Sequence, residues 1–129
     1  MVNKFLTKHF AHKEVIRAED KLNYLGNLKC HNNCLNYALK TDKVEKILGC
    51  VQVFEGGDLV AHFVVRLKDG SILDPTFGRL SSISYSYLIV IEEYNVNSFS
   101  PDRELTNLKL HLYNLLPWYL KIFTGRTSL

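Results

Sequence analysis

Several features that would assign a protein class are missing from this sequence. Its 129 residues contain no run of about 18 consecutive apolar residues, which a membrane-spanning helix requires. The 16 basic and 13 acidic residues are mixed along the chain, so no dense basic block marks a nucleic-acid surface. Only three cysteines are present, and not all of them can pair within one chain. These absences argue against membrane insertion, nucleic-acid binding and a disulfide framework.

The composition is that of a folded globular domain. Apolar residues make up 47% of the chain and charged residues 22%, close to the average of soluble domains. A chain of this length holds one core, and we expect a single domain over residues 1–129. The first residues include Lys4, Lys8 and Lys13, so they lack the apolar stretch of a signal peptide. We therefore expect a cytoplasmic protein whose cysteines are thiols.

The spacing of apolar residues predicts helices towards both ends of the chain and strands between them. Residues 11–25 have a loose helical spacing that stops at Gly26, and a second helix is predicted to begin close to Cys30. Strands are predicted at residues 47–54, 59–67, 72–74 and 85–93. A C-terminal helix begins near Ser100 and bends or ends at Pro117. This order of elements indicates an α+β domain.

Cys30 stands at the predicted start of the second helix, where a thiol ionises easily. The free N–H groups of the first helical turn would point towards its sulfur and lower its pKa. The same N–H groups could bind a developing oxyanion. Cys34 lies one turn further on and is the alternative nucleophile, although a position inside the helix favours the core. Cys50, in an apolar strand, is predicted to be buried structure.

His62 and Asp74 are predicted to meet at one end of a hairpin. The Asp-Gly pair at residues 69–70 lies between two apolar runs, which is the signal of a tight hairpin turn. If residues 62–67 pair with those near 71–76, the imidazole and the carboxylate lie side by side. The carboxylate could then hold one tautomer of His62 while the other ring nitrogen faces a thiol. Asp74 also has a structural interpretation, because Asp before Pro often begins a turn.

Three blocks of the sequence resemble a known superfamily. They are Cys30-His31-Asn32-Asn33 before a helix, Ala61-His62-Phe63-Val64-Val65, and Gly70-Ser71-Ile72-Leu73-Asp74-Pro75-Thr76. In this order they resemble the Cys, His and Asp blocks of the papain-like and transglutaminase-like superfamily, nearest to small phage and bacterial members. The resemblance covers residues 30–76. It implies a cysteine-bearing helix packed on an antiparallel sheet that carries the histidine and the acid.

The resemblance also implies an activity, the hydrolysis or transfer of an amide or peptide bond through a thioester. Cys30 would attack, His62 would accept and return the proton, and Asp74 would orient His62. Candidates for binding substrate or an oxyanion are Asn27, His31 and Asn33. The expected partner is a protein or peptide substrate, or a host protein if the chain is a phage protein.

A zinc module is one alternative to this hypothesis. Cys30, His31, Cys34 and His62 are residue types that bind zinc. Their spacing does not form the two short pairs of a zinc knuckle, however. We therefore expect neither a metal nor another cofactor.

A binding protein without catalytic activity is the second alternative. The segment after Pro117 is strongly apolar, and its Trp118, Tyr119 and Phe123 are candidates for an exposed contact patch. Such a protein would keep the fold and act through this patch, for example as a phage-encoded inhibitor of a host factor.

Overall fold

A computed structural model of the chain describes residues 15–16, 29–54, 59–77 and 86–115. Two α-helices, one 3-10 helix and five strands lie in these ranges. In chain order they are β1 (Val15–Ile16), α1 (Cys30–Leu39), β2 (Val44–Phe54), β3 (Leu59–Leu67), β4 (Ile72–Leu73), β5 (Ser86–Tyr94), the 3-10 helix (Val96–Ser98) and α2 (Pro101–Leu115). The α+β class predicted from the sequence is confirmed.

The described strands form one antiparallel sheet in the order β1-β5-β2-β3-β4. β2 and β3 are rich in β-branched residues and pair over most of their length, with Cys50 opposite His62. β4 is much shorter, and its last pair joins Leu73 to Val65. The edge of β3 that precedes Val65 therefore extends beyond β4. This is the part of the strand that contains His62.

The residues of β3 alternate between two buried clusters. Phe63 and Val65 belong to the cluster that includes Cys34 of α1. Val64 belongs to a second cluster, whose members come from β2, β3, β4 and β5. Because successive side chains of a strand point to opposite faces, His62 starts from the same face as Val64. β3 therefore presents its histidine on one face and packs against α1 with the other.

The turn between β3 and β4 is the Asp-Gly turn that the sequence predicts. Gly70 has φ 92°, a left-handed conformation that favours glycine. Asp69 Oδ1 accepts a hydrogen bond of 2.9 Å from the Ser71 N–H. The N–H of Leu67 donates to the Ser71 carbonyl at 2.8 Å and closes the hairpin. The turn thus sets the register in which Asp74 follows β4.

Three aromatic rings consolidate the core on the side of the sheet that α1 covers. Phe63, Tyr94 and Phe99 have ring centroids 5.3 to 6.1 Å apart. Gly49 of β2 makes this packing possible, because a Cβ at that position would lie 3.1 Å from the Tyr94 ring and 3.3 Å from the Phe63 ring. The cluster fixes the strand segment next to His62.

The helix predicted over residues 11–25 is wrong where the chain is described. Val15 and Ile16 form β1 and pair with β5 at the edge of the sheet. The remainder of that range lies outside the described residues, as do residues 55–58 between β2 and β3, Pro117 and the apolar segment after it. Neither described helix is long and apolar enough to cross a membrane.

Candidate active site

Cys30 is the first residue of α1 and is only 7% exposed. Its place is fixed by the first turn of the helix, in which the N–H of Asn33 donates to the carbonyl of Lys29 at 2.9 Å. The thiol forms a hydrogen bond with the ring of His62 and accepts another from the backbone N–H of Phe63. The helix start predicted at Cys30 is confirmed. The amide that reaches the sulfur belongs to β3, not to the first helical turn.

His62 and Asp74 form a buried pair. His62 Nε2 lies 2.7 Å from Asp74 Oδ2, and the two residues are 2% and 0% exposed. The ring of Phe77 lies against the imidazole, with centroids 5.2 Å apart. Because Nε2 is engaged by the carboxylate, Nδ1 is the ring nitrogen left for the Cys30 sulfur. The three side chains thus follow one another in the order thiol, imidazole and carboxylate.

The second oxygen of Asp74 shapes the turn after β4. Asp74 Oδ1 accepts hydrogen bonds from the N–H groups of Thr76 and Phe77, at 2.9 and 3.0 Å. This is an Asx-turn, in which a side-chain oxygen accepts from the backbone, and an Asp-Pro pair favours it. The sequence suggested that Asp74 either contacts His62 or begins a turn. The carboxylate does both, with one oxygen for each.

The N–H of Phe63 is available to the sulfur because the β3–β4 ladder stops early. The N–H of Leu67 points towards β4, and alternation along the strand gives the N–H of Phe63 the same direction. Pro75 follows two residues after Leu73, at the point where the ladder would have to continue, and proline has no N–H to donate. The chain turns away there, and Cys30 occupies the strand edge.

Electrostatics favour a thiolate and an imidazolium in this arrangement. Burial alone would raise the pKa of Cys30, but the hydrogen bonds from His62 and Phe63 outweigh it and hold the pKa below 9.0. Burial alone would lower the pKa of His62, but Asp74 and Cys30 raise it to about 9. The pKa of Asp74 lies below its usual range, because His62 and two backbone donors offset its burial. These shifts favour the imidazolium form of His62 at neutral pH, with the Asp74 carboxylate on one side, and they increase the thiolate fraction of Cys30 on the other.

The substrate candidates from the sequence have different positions. Asn33 is buried, and its Nδ2 donates to Thr76 Oγ1 at 3.0 Å. His31 is also buried, and its Nε2 lies 3.3 Å from Asp102 Oδ1 at the start of α2. The groups that shift the pKa of Cys30 do not include His31. Asn27 lies outside the described residues.

The other two cysteines lie in the core. Cys34 and Cys50 are fully buried, and all three cysteines are free. Burial and the neighbouring Cys30 hold the pKa of Cys34 well above 9.0, so it stays a thiol. Cys34 is therefore the weaker nucleophile of the two on α1. Within the described ranges, no group of three or more His, Cys, Asp or Glu side chains could hold a metal ion.

Three contributions to the site were missed at the sequence level. They are the backbone N–H of Phe63, the ring of Phe77 and the hydroxyl of Thr76. The Asp-Pro-Thr pattern could have indicated the last, because an Asp turn brings the residue two positions later close to the carboxylate. The N–H of Phe63 could not be identified in this way, because every residue except proline has a backbone N–H.

Comparisons of the chain with protein-family models, with curated proteins and with solved structures give no match.

Proposed function

We propose that this protein is a cysteine-dependent hydrolase or acyltransferase that acts on an amide or peptide bond through a thioester. Cys30 is the nucleophile, His62 the acid and base, and Asp74 the residue that orients His62. A protein or peptide in the cytoplasm is the proposed substrate, and the family proposed is the papain-like and transglutaminase-like superfamily.

One observation carries the proposal, the position of His62 between a thiol and a carboxylate inside the protein. The 2.7 Å contact with Asp74 fixes the ring, and the same ring forms a hydrogen bond with the Cys30 thiol. A nucleophile, a base within hydrogen-bonding reach and a third group that orients the base are the parts that covalent catalysis requires.

The arrangement supports a two-step reaction. The Cys30 thiolate attacks the carbonyl carbon, and a tetrahedral intermediate forms. The C–N bond then breaks as the His62 imidazolium gives its proton to the leaving amine, which leaves a thioester on Cys30. Water or an acceptor amine next loses a proton to His62 and attacks the thioester, and the thiolate departs. Water yields hydrolysis, whereas an amine yields acyl transfer.

Burial of these charges favours catalysis over passive binding. A charged carboxylate and an imidazolium inside a protein lose their hydration, and a pair of apolar residues would fill the same space at less cost. Shifted pKa values in such a cluster are typical of functional sites. A protein that acts only through a surface patch has no need of this arrangement.

The test is the reactivity of Cys30 across pH. Iodoacetamide alkylation, followed by mass spectrometry, should modify Cys30 at a lower pH than it modifies a free model thiol, because the pKa of Cys30 is lowered. His62→Ala should shift the reaction to higher pH. An activated ester, p-nitrophenyl acetate, should acylate Cys30 and release nitrophenolate in a burst. Cys30→Ala should abolish the burst, and Cys34→Ala, on the same helix, is the matched control that should keep it.

Two results would contradict the proposal. One is alkylation of Cys30 no faster than that of a free model thiol at every pH. The other is a biological activity that survives Cys30→Ala unchanged but disappears on substitution of Trp118 or Tyr119, which is the result expected of the binding protein.

A further inference from the structure

The hydrogen bond between Asn33 and Thr76 lies outside the three proposed catalytic residues and joins their two halves. Asn33 is on α1, three residues after Cys30, and Thr76 is in the turn that begins at Asp74. Asn33 Nδ2 donates to Thr76 Oγ1 at 3.0 Å, and both side chains are buried. The helix of the nucleophile is therefore bonded to the turn of the acid.

This bond closes a ring of interactions. Thr76 donates its N–H to Asp74 Oδ1, and Asp74 Oδ2 contacts His62. His62 bonds to Cys30, and the first turn of α1 leads from Cys30 back to Asn33. Every member is buried, so water cannot easily replace a broken link.

This closed set of interactions fixes the position of α1 relative to the hairpin, which the hairpin turn alone cannot do. The turn at Gly70 fixes His62 relative to Asp74, but α1 is a separate element. Its apolar contacts through Cys34 and Ala38 are not directional, so they hold the helix on the sheet without defining where its first residue points. A buried hydrogen bond is directional and defines that position.

We propose that Asn33 and Thr76 are positioning residues that set the approach of the Cys30 sulfur to the His62 ring. The inference rests on the proposed function, because it assigns a role within the same site. Neither residue contacts the reacting atoms in this scheme, and both act through Cys30 and His62.

Thr76→Val is the sharpest test. Valine keeps the shape of the side chain and the backbone N–H that Asp74 requires, and it removes the oxygen that Asn33 uses. Alkylation of Cys30 at neutral pH should slow by about tenfold, and the midpoint of its pH profile should rise by about one unit. Thr76→Ser keeps the hydroxyl and should restore the wild-type profile. Circular dichroism and thermal unfolding report whether each variant is folded.

Asn33→Ala provides an independent variant with the same expected shift. The double variant should react no more slowly than either single variant, because all three lack the same bond. Asn36→Ala, on the exposed side of α1, is the matched control and should match wild type. If Thr76→Val does not fold, Asn33→Ala compared with Asn36→Ala decides the question.

The results separate this inference from the proposed function. A wild-type protein with an activated Cys30, and folded Thr76→Val and Asn33→Ala variants whose pH profiles overlay it, would overturn the positioning role and leave the proposed function standing. Losses that add in the double variant would also overturn it. A wild-type Cys30 that reacts as a free thiol would overturn both proposals.

Discussion

Asp74 contacts His62 through one carboxylate oxygen and keeps the other for its own turn. Oδ2 lies 2.7 Å from His62 Nε2, whereas Oδ1 accepts the N–H groups of Thr76 and Phe77. One oxygen of Asp74 therefore has the proposed catalytic role, and the other stabilises the turn. A substitution that preserves one oxygen can separate them.

Asp74→Asn is the substitution that does so. Its remaining side-chain oxygen can still accept the two turn N–H groups, so the fold should persist, while the negative charge beside His62 disappears. We expect the pKa of His62 to fall, the thiolate fraction of Cys30 to fall, and the acylation rate to drop by about 100-fold or more. Steady-state and burst kinetics with p-nitrophenyl acetate measure the loss.

Asp74→Ala is the comparison for this prediction. It removes the turn acceptor as well, so it should lower the thermal midpoint more than Asp74→Asn does. Equal acylation rates in Asp74→Asn and the wild type would show that the carboxylate does not support His62.

The dependence of stability on pH should change when Cys30 is removed. Asp74 and Cys30 outweigh burial and raise the pKa of His62 from 6.5 to about 9, so its stabilisation is complete below pH 6.5 and is lost as the pH rises through 9. The lowered pKa of Cys30 has the opposite effect, because its contribution grows as the pH rises towards 9.0. Wild type should therefore show a shallow dependence over this range.

Cys30→Ala removes the contribution of Cys30 to stability, which opposes that of His62 as the pH rises. Because Asp74 still raises the pKa of His62, the free energy of unfolding should fall between pH 6.5 and 9 more steeply than in wild type. Urea unfolding at a series of pH values measures the difference. Parallel curves for the two proteins would contradict a coupled pair, and a Cys30→Ala/His62→Gln double variant should lose the slope.

Cys34→Ala should separate packing from reactivity on α1. Cys34 is fully buried, so loss of its sulfur leaves a small cavity and should cost about 1 kcal/mol of stability. The alkylation rate of Cys30 should stay at the wild-type value. Denaturant unfolding and site-resolved mass spectrometry give the two readouts. A large fall in Cys30 alkylation would assign Cys34 a part in the site.

Gly70→Ala should destabilise the hairpin through the backbone alone. A Cβ at this position would meet no atom within 4 Å, so the cost comes from φ 92° and should be about 1 kcal/mol. Thermal unfolding measures it. Gly70→Asn should recover part of the loss, because asparagine tolerates the left-handed conformation better than alanine. No difference between the two variants would contradict a backbone origin.

Much of the fold could be predicted because its signals are local. The Asp-Gly turn and the apolar runs around it place β3 and β4, and so bring His62 to Asp74. Val15 and Ile16 could not be assigned in this way, because two residues are too few to show the alternation of a strand. Their pairing with β5 depends on a partner far along the chain.

The approach of Cys30 to His62 could not be predicted from sequence patterns either, because it also depends on residues far apart in the chain. It depends on the edge of β3 that is left open before Val65 and on a bond between Asn33 and Thr76, 43 residues apart. The contact of His31 with Asp102, at the start of α2, likewise joins residues that are far apart in the chain.

Because neighbouring residues of β3 face opposite sides of the sheet, the distance along the chain from His62 to the turn matters as much as the residues themselves. Deleting one residue between His62 and Gly70 would exchange the faces of the strand, sending the imidazole to the side that Phe63 now occupies. Such a deletion should therefore break the contact between His62 and Asp74.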